Sequence, residues 1–541
     1  MHIARICGVS TELHSAETIG AKAANLARMA ALGLPVPPAF VLPVALCADI
    51  IGGKPDAEHE LRDGLKQGIA FLEEATGKRF GDRRNPLLLS VRSGAARSMP
   101  GMLDTVLNVG CTSAAVQGLI RSTGRPRLAW DCRRRLIESY AATVLGLDGG
   151  PLARCVAELA AREGAANDRE LDSEAIERLA VAERALIEGE DDEWLEDAAA
   201  QLEAAARAVY RSWMSERAQT YRRLQHLDDI RGTAVTVQTM VFGNGGLSSG
   251  AGVAFSRNPS TGAPKPMIDF VLDAQGEDVV SGQRTPDSED TIARALPTLA
   301  SELGDVLKRL EMEFRDVQDV EFTVADGRLW ILQARSAKRT PRAALRTAID
   351  LVHEGLISQG EALARLADLD LATLTETSLA AKASAVVTGV GASGGIAAGR
   401  AAFDSDAAMR FAADGDPVIL LRPDTSTADV AGFAAASGIV TSVGARTSHA
   451  ALVARQMGKP CVVGCSDVAI DAVAGRAQLG QTPIAEGDWL TIEGEAGAVY
   501  LGRLEAVETR PEAELAEVAG WRSKTGANEL DLGRDLAKAR A

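Results

Sequence analysis

Residues 443–465 read Val-Gly-Ala-Arg-Thr-Ser-His-Ala-Ala-Leu-Val-Ala-Arg-Gln-Met-Gly-Lys-Pro-Cys-Val-Val-Gly-Cys. Just before them, Gly438-Ile439-Val440-Thr441 reads as a short strand running into a glycine turn. Thr447 or Ser448 can cap a helix, which places His449 in its first turn. Ala450, Val453, Ala454 and Met457 recur at helical spacing as an apolar stripe, and Gly458 supplies the stop. Around this unit, residues 386–504 run in short stretches of Gly, Ala and Val. That pattern predicts a compact α/β domain of roughly 120 residues. An imidazole at a helix N-terminus faces unpaired N–H donors and positive potential. Both stabilise an anion there, including a phosphoryl group carried by the histidine itself. Histidine can also serve as a covalent nucleophile. A structural histidine at a cap is the plainer alternative, and the Gly, Thr and Ser packed around it favour chemistry.

Outward from that stretch, the 541 residues suggest about three folded units. Apolar residues make up 46 % and charged residues 24 %, which argues against disorder throughout. Aromatics are only 4 %, so Ala, Leu and Val must fill the core. With 58 basic against 74 acidic residues the formal charge is −16, which excludes a broad nucleic-acid surface but allows a local basic pocket. There is no apolar run long enough to span a membrane and no leader-like apolar stretch at the start. Seven cysteines fit a reducing cytoplasm. Cys461 and Cys465 have no further Cys or His at zinc-ligand spacing, so no metal role is expected of them.

Residues 112–225 predict a helical insertion. Ala175, Ile176, Leu179, Ala180 and Leu195, Ala199, Leu202, Ala206 follow helical spacing. Strand signals return from Thr233 to Arg335, and 341–385 reads as a helical connector. Pro86 to Arg92 reads as a buried strand entering a loop, Ser93 to Thr105, with glycines, hydroxyls, Arg92 and Arg97. Glycine lets backbone N–H groups approach a phosphate, and arginine adds charge-assisted donors. Gly20-Ala21-Lys22 opens a helix where Lys22 can meet a phosphate.

Residues 319–335 predict a hairpin around Asp326-Gly327. Two loop lengths are open. A two-residue loop sets Asp319 and Glu321 beside Trp330, Leu332 and Ala334. A three-residue loop, Ala325-Asp326-Gly327, aligns Val320, Phe322 and Val324 with Trp330 and Leu332. It leaves Asp319, Glu321, Gln333 and Arg335, with Ile331, on the other face. Burial favours the three-residue loop. The carboxylate and amide oxygens then suit Mg²⁺ held together with nucleotide phosphates.

These motifs resemble the pyruvate, phosphate dikinase family. The resemblance rests on Thr447 to Pro460, on Ser90 to Gly94 and Ser98 to Gly101, and on Val237 to Asn244. It also rests on Gly252 to Gly262, Ala274 to Val280 and Gln318 to Thr323, and extends from about residue 15 to about residue 505. It implies an α/β multidomain fold: an ATP-grasp nucleotide-binding domain over 1–340 and a connector over 341–385. A swivelling phosphohistidine domain then covers 386–504, and a C-terminal helix and tail 505–541. Carried over by position, Lys22, Arg92, Ser93, Gly94, Gly101, Thr105, Gln238, Met240, Asp319, Glu321, Gln333 and Arg335 are implied to bind ATP. Asp319, Glu321 and Gln333 are implied to hold Mg²⁺. His449 is implied as the phosphorylated residue, with Arg92 assisting, and Thr447 as a regulatory position. A monovalent cation is a further implied cofactor.

The sequence departs from the family pattern in places. Asp269 stands where glutamate is usual, and Gly444-Ala445-Arg446 stands for Gly-Gly-Met. Arg446 puts a cation beside His449, for a phosphoryl group or a partner protein. Gly391-Ala392-Ser393-Gly394-Gly395 replaces a Pro-Ala-Ser-Pro-Gly turn and should loosen it. The expected chemistry has ATP bound between the ATP-grasp subdomains and His449 attacking the β-phosphorus. AMP leaves, and inorganic phosphate then carries off the terminal phosphoryl group as pyrophosphate. The family's pyruvate and phosphoenolpyruvate barrel has no counterpart by Ala541, so the expected acceptor is pyruvate held on a separate protein. Another small-molecule acceptor and a non-catalytic regulatory phosphocarrier stay open. A cytoplasmic protein with no nucleic-acid or membrane partner is expected.

Overall fold

A computed structural model describes residues 3–97, 99, 103–165, 167–187, 192–224, 227, 229–280, 291–424, 429–446, 448–472 and 474–523. Gly101 and Thr447 lie outside the described residues. The chain is mixed α/β and divides into two compact units. The first holds residues 1–245 with Trp330–Ala334, the second Gly246–Leu329 with Arg335 onward.

The first unit is built on an antiparallel sheet. Among the described residues its order is Ala4–Ile6, Ala39–Leu42, Thr233–Thr239, Leu89–Ala95, Thr105–Val109. Every residue of Thr233–Thr239 is buried, which explains its run of β-branched residues. Helix Pro55–Thr76 lies so close to the sheet that a β-carbon on Gly68 would stand 2.5 Å from the Phe40 ring. The strand expected to end at Arg92 runs on to Ala95, so Ser93 and Gly94 are ladder residues and not loop. The sheet explains this: Arg92, Ser93 and Gly94 each find a register partner in Thr236, Val235 and Ala234.

Helices follow one another from Ser113–Thr123 to Glu216–Leu224. Ala175, Ile176, Leu179 and Ala180 are all buried in Ser173–Ile187. Ala199 is exposed, because Asp197 caps the next helix and leaves Ala199 in its outward first turn. Gln201 takes the inward place, accepting from Gly110 N at 2.8 Å and donating to Leu195 O at 2.9 Å.

Helix Pro126–Thr143 carries a buried charge network. Asp131 accepts from Arg134 (3.0 Å), Arg135 (2.9 Å) and Asn244 Nδ2 (2.9 Å). Burial opposes its ionisation, yet Arg135 and Arg134 win and hold the carboxyl well below its usual range. Glu183 behaves oppositely: burial first, then Glu138, push its carboxyl well above the ordinary 4.5. A carboxyl raised in the fold binds more protons folded than unfolded, so its contribution to stability falls as pH rises above 4.5. Glu183→Gln is therefore expected to raise the thermal midpoint at pH 8, by at least about 1 kcal/mol of stability. That gain should shrink toward pH 4. Melting curves of both proteins across this range check it; a gain independent of pH would exclude the assignment.

In the second unit, Gly250–Phe255 pairs antiparallel with both Met267–Leu272 and Gln318–Ala325. The turn after Gln318–Ala325 is the two-residue Asp326-Gly327, both with left-handed φ (50° and 73°), and not the three-residue loop that burial favoured. Asp and Gly tolerate φ > 0, and such a turn matches strand twist. Leu329 and Ile331 are consequently the buried residues, while Trp330 and Leu332 are only half-buried.

Residues 386–504 hold an eight-stranded sheet among the described residues. Its order is Val387–Thr388, Ala498–Leu501, Trp489–Glu493, Ile396–Ala402, Val418–Arg422, Gly438–Thr441, Cys461–Val463, Val390–Ser393. Its four central strands are parallel. They are apolar on both faces: Ile419, Leu421 and Val440 enter one core, Val418, Leu420 and Ile439 the other. The first and last strands of that order are separated only by Gly389. One residue cannot reach across a sheet this wide, so its two edges meet and the sheet closes on itself. Gly389 sits at the seam, where a β-carbon would stand 2.5 Å from Val463 O.

Gly391 to Ser393 form a strand and not the loosened turn expected. A β-carbon on Gly391 would stand 2.5 Å from Glu495 O, so crowding accounts for that glycine. The connector has helices Pro341–His353 and Gln359–Arg365, then a strand Glu376–Leu379. That strand pairs with Ala506–Thr509, ahead of the tail helix at 512–523. Among the described residues no helix is long and apolar enough to cross a membrane.

Candidate functional site

The candidate residues fall on both units, and each group is built by its own neighbours. In the first unit, helix Ala21–Ala31 starts from Gly20 at φ 80°. Gly20 lies against Gly94, where a β-carbon would stand 2.0 Å from the Gly94 carbonyl oxygen. A β-carbon on Gly94 would in turn stand 3.9 Å from Lys22 Cβ. The two glycines thus bring the first turn of the helix, with Lys22, onto the strand that carries Arg92 and Ser93. Arg92 is half-buried and pairs in register with Thr105.

Other candidates are committed elsewhere. Gly94 N donates to Thr233 Oγ1 at 3.0 Å, so its glycine serves close packing and not an open phosphate cradle. Gln238 Nε2 donates to Pro37 O at 3.2 Å, and Met240 N to Leu88 O at 2.9 Å. Arg97 faces Asp229 at 3.5 Å on the surface. Gln333 is buried, next to Ala334, whose carbonyl accepts from Asn25 Nδ2 at 2.9 Å.

In the second unit, Asp319 and Glu321 share one face of Gln318–Ala325. Arg335 Nε donates to Asp319 Oδ2 at 2.8 Å. Asp319 Oδ1 is buried with no hydrogen-bond partner among the described residues. Burial raises the Asp319 carboxyl above its usual range, with Arg335 opposing. An orphaned carboxylate oxygen with a second carboxylate two residues on fits a hard cation. No cluster of three or more His, Cys, Asp or Glu able to hold a metal occurs among the described residues. Two carboxylates supply part of a hard cation's shell and leave room for phosphate and water oxygens.

His449 opens helix His449–Gln456, with Ser448 as its cap, as the sequence predicts. Its Nε2 is buried and has no hydrogen-bond partner among the described residues. The ring meets Phe433 edge-on, at 6.1 Å between centroids. Burial lowers its pKa, against the pull of Asp429 and Asp424, and so favours the neutral ring. The expected stripe is partly wrong: Met457 is exposed, and Arg455 takes the inward place. Arg455 is fully buried, donating to Ala392 O at 2.8 Å and Arg446 O at 2.6 Å, with its guanidinium over Phe255. In the sequence Arg455 stood within the Thr447 to Pro460 motif, with no role assigned to it. The Lys459 ammonium donates to the carbonyls of Phe433, Ala434 and Ala436, so the Gly-Lys-Pro segment caps the helix that holds Phe433. Arg446 does not stand free beside His449; it pairs with the buried Asp269 at 2.5 Å.

The sequence profile described as "Pyruvate phosphate dikinase, AMP/ATP-binding domain" matches residues 57–300 and 288–355, more than half of the chain. The chain belongs to the pyruvate, phosphate dikinase family. A second profile, "PEP-utilising enzyme, mobile domain", matches residues 414–497, which include His449. The chain is 40 % identical over 512 residues to a pyruvate, phosphate dikinase of Clostridium symbiosum, covering 94 % of this chain and 59 % of that one. It is 40 % identical over 522 residues to one of Rhizobium meliloti (strain 1021), covering 93 % and 58 %. It is 41 % identical over 490 residues to a chloroplastic one of Flaveria pringlei, covering 90 % and 51 %. The chain thus spans between half and three-fifths of these dikinases.

Proposed function

We propose that this chain carries the nucleotide half of a pyruvate, phosphate dikinase reaction, with His449 as the phosphoryl carrier. The observation that carries this reading is the buried Nε2 of His449 at a helix N-terminus, without a hydrogen-bond partner among the described residues. Residues 1–340 act as an ATP-grasp domain with the 112–225 insertion. Residues 341–385 act as connector, 386–504 as the swivelling phosphohistidine domain, and 505–541 as helix and tail.

Lys22 and Arg92 neutralise the triphosphate, with Ser93, Gly101, Thr105 and Arg335 as further ATP contacts; Gly94, Gln238 and Met240 keep the hydrogen bonds described above and serve the scaffold of the site. Asp319 and Glu321 would hold Mg²⁺, which when bound supplies charge neutralisation at the transferring phosphoryl group; the two-residue turn takes away the register that set Gln333 beside them. The neutral imidazole presents the Nε2 lone pair to the β-phosphorus. The bond from that phosphorus to the α–β bridging oxygen breaks, and AMP leaves. An oxygen of inorganic phosphate then attacks the terminal phosphorus. Pyrophosphate departs and His449 keeps the β-phosphoryl group. Fixed donors and the N-terminal dipole supply most of the rate by orientation and electrostatics. The phosphoryl group then passes to pyruvate. The comparisons give no support to a separate protein for this last step. Thr447 is a regulatory position and the setting cytoplasmic.

ATP labelled at the β or γ phosphorus, with and without phosphate, tests the reading. Wild type should retain β label after phosphate is added and release γ label as pyrophosphate, and His449→Ala should stay blank. Retention of γ label with release of ADP would overturn it.

A further inference from the structure

Asp269 and Arg446 touch each other. Asp269 lies in strand Met267–Leu272, and Arg446 in the turn three residues before His449. Arg446 Nη1 meets Asp269 Oδ1 at 2.5 Å, with side-chain exposures of only 9 % and 3 %. Asp269 Oδ2 also accepts the backbone N–H of Arg446 at 3.3 Å. One carboxylate therefore grips both the side chain and the backbone of the turn. The Arg446 Nε donates to Gly391 O at 3.1 Å. Its carbonyl accepts from Arg455, whose guanidinium lies 5.5 Å from the centre of the Phe255 ring. Phe255 is the register partner of Asp319. A continuous path thus runs from the strand pair bearing the metal-binding carboxylate, through Asp269, Arg446 and Arg455, to the first turn of the His449 helix.

We infer that Arg446 and Asp269 are a positioning pair, holding the 386–504 domain with His449 presented toward the Asp319-bearing sheet during the nucleotide half-reaction. The inference rests on the phosphohistidine reading above. Asp269 engages Arg446 within the chain, which gives this cation a docking role. Removing either charge alone would leave the other buried and unpaired, which is strongly unfavourable, whereas together they neutralise each other. The pair must open for the domain to swing away, so it also biases the docked population.

A double-mutant cycle on the full chain tests this with three readouts. These are single-turnover transfer of β label to His449, the Kd of Mg·ATP by calorimetry, and a spin–spin distance. The labels go on Lys265→Cys and Asp414→Cys, both exposed positions, with Cys7→Ser and Cys155→Ser to silence the half-buried thiols. Arg446→Met and Asp269→Asn should each slow labelling at least about ten-fold, leave Kd within about two-fold, and deplete the docked distance. The double variant should be no slower than the worse single one, because each removes the same interaction. Arg446→Lys, which keeps the charge, should recover part of the rate. Single effects that multiply, or a docked distance unchanged in all variants, would overturn the pair. If wild type takes no β label the functional reading fails instead, and the distance measurement alone then decides: loss in the singles supports the pair, and no loss refutes it.

Discussion

Asp319→Asn is expected to lower β-label transfer from Mg·ATP to His449 by at least about 100-fold while moving the thermal midpoint little. The side chain is 1 % exposed and its Oδ1 has no hydrogen-bond partner among the described residues. Asparagine keeps the shape and removes the charge that a hard cation needs. Two stability effects oppose each other. Burial already disfavours the charged carboxylate, so neutralising it brings relief. Arg335, bonded to Oδ2 at 2.8 Å, loses its counter-charge. The same raised carboxyl sets a pH dependence. Metal binding needs the deprotonated form, so Mg·ATP affinity should fall in acid at a pH above the ordinary 3.8. Calorimetry between pH 4 and 8, with melting curves beside it, checks both parts. An Asp319→Asn protein that labels at the wild-type rate would remove Asp319 from the site.

Gly20→Ala is expected to destabilise the first unit by about 3 kcal/mol or more and to weaken ATP binding at least about ten-fold. Two costs add. The residue has φ 80°, which a side chain rarely adopts, and its new β-carbon would stand 2.0 Å from a backbone carbonyl oxygen. No rotamer change relieves a clash with backbone. The helix start must shift, and Lys22 shifts with it. Unfolding in urea and ATP titration of the same protein separate the two effects. An alanine tolerated in both measurements would show that the approach of Gly20 to Gly94 does not place Lys22. Ala at Gly355, where φ is 72° and no atom stands within 4 Å, controls for backbone strain alone.

The strand-turn-helix around His449 was legible because its signals are local: a glycine turn, a capping serine and a glycine stop. The helical insertion was legible for the same reason, with periodicity carrying it. What failed was whatever a distant partner decides. Gly94 and Gly391 looked like loop glycines, yet both lie in strands, because glycine reads alike whether it frees a loop or makes room for a neighbour. The hairpin was misread because burial outweighed the turn chemistry of Asp326-Gly327 itself. Asn244 with Asp131, and Arg446 with Asp269, are pairings over more than 100 residues. Nothing in local spacing announces them. Asp269 and Arg446 were visible singly as unusual residues, and only the fold shows that they meet.

The seam at Gly389 has a bearing on exposed strand edges. An open sheet depends on its host to cover its outer strands, and moving it between proteins exposes a surface that invites aggregation. A sheet whose two end strands are joined by one residue leaves less of that surface open. The closure of the 386–504 sheet thus lowers the number of strand edges that neighbouring segments have to cover.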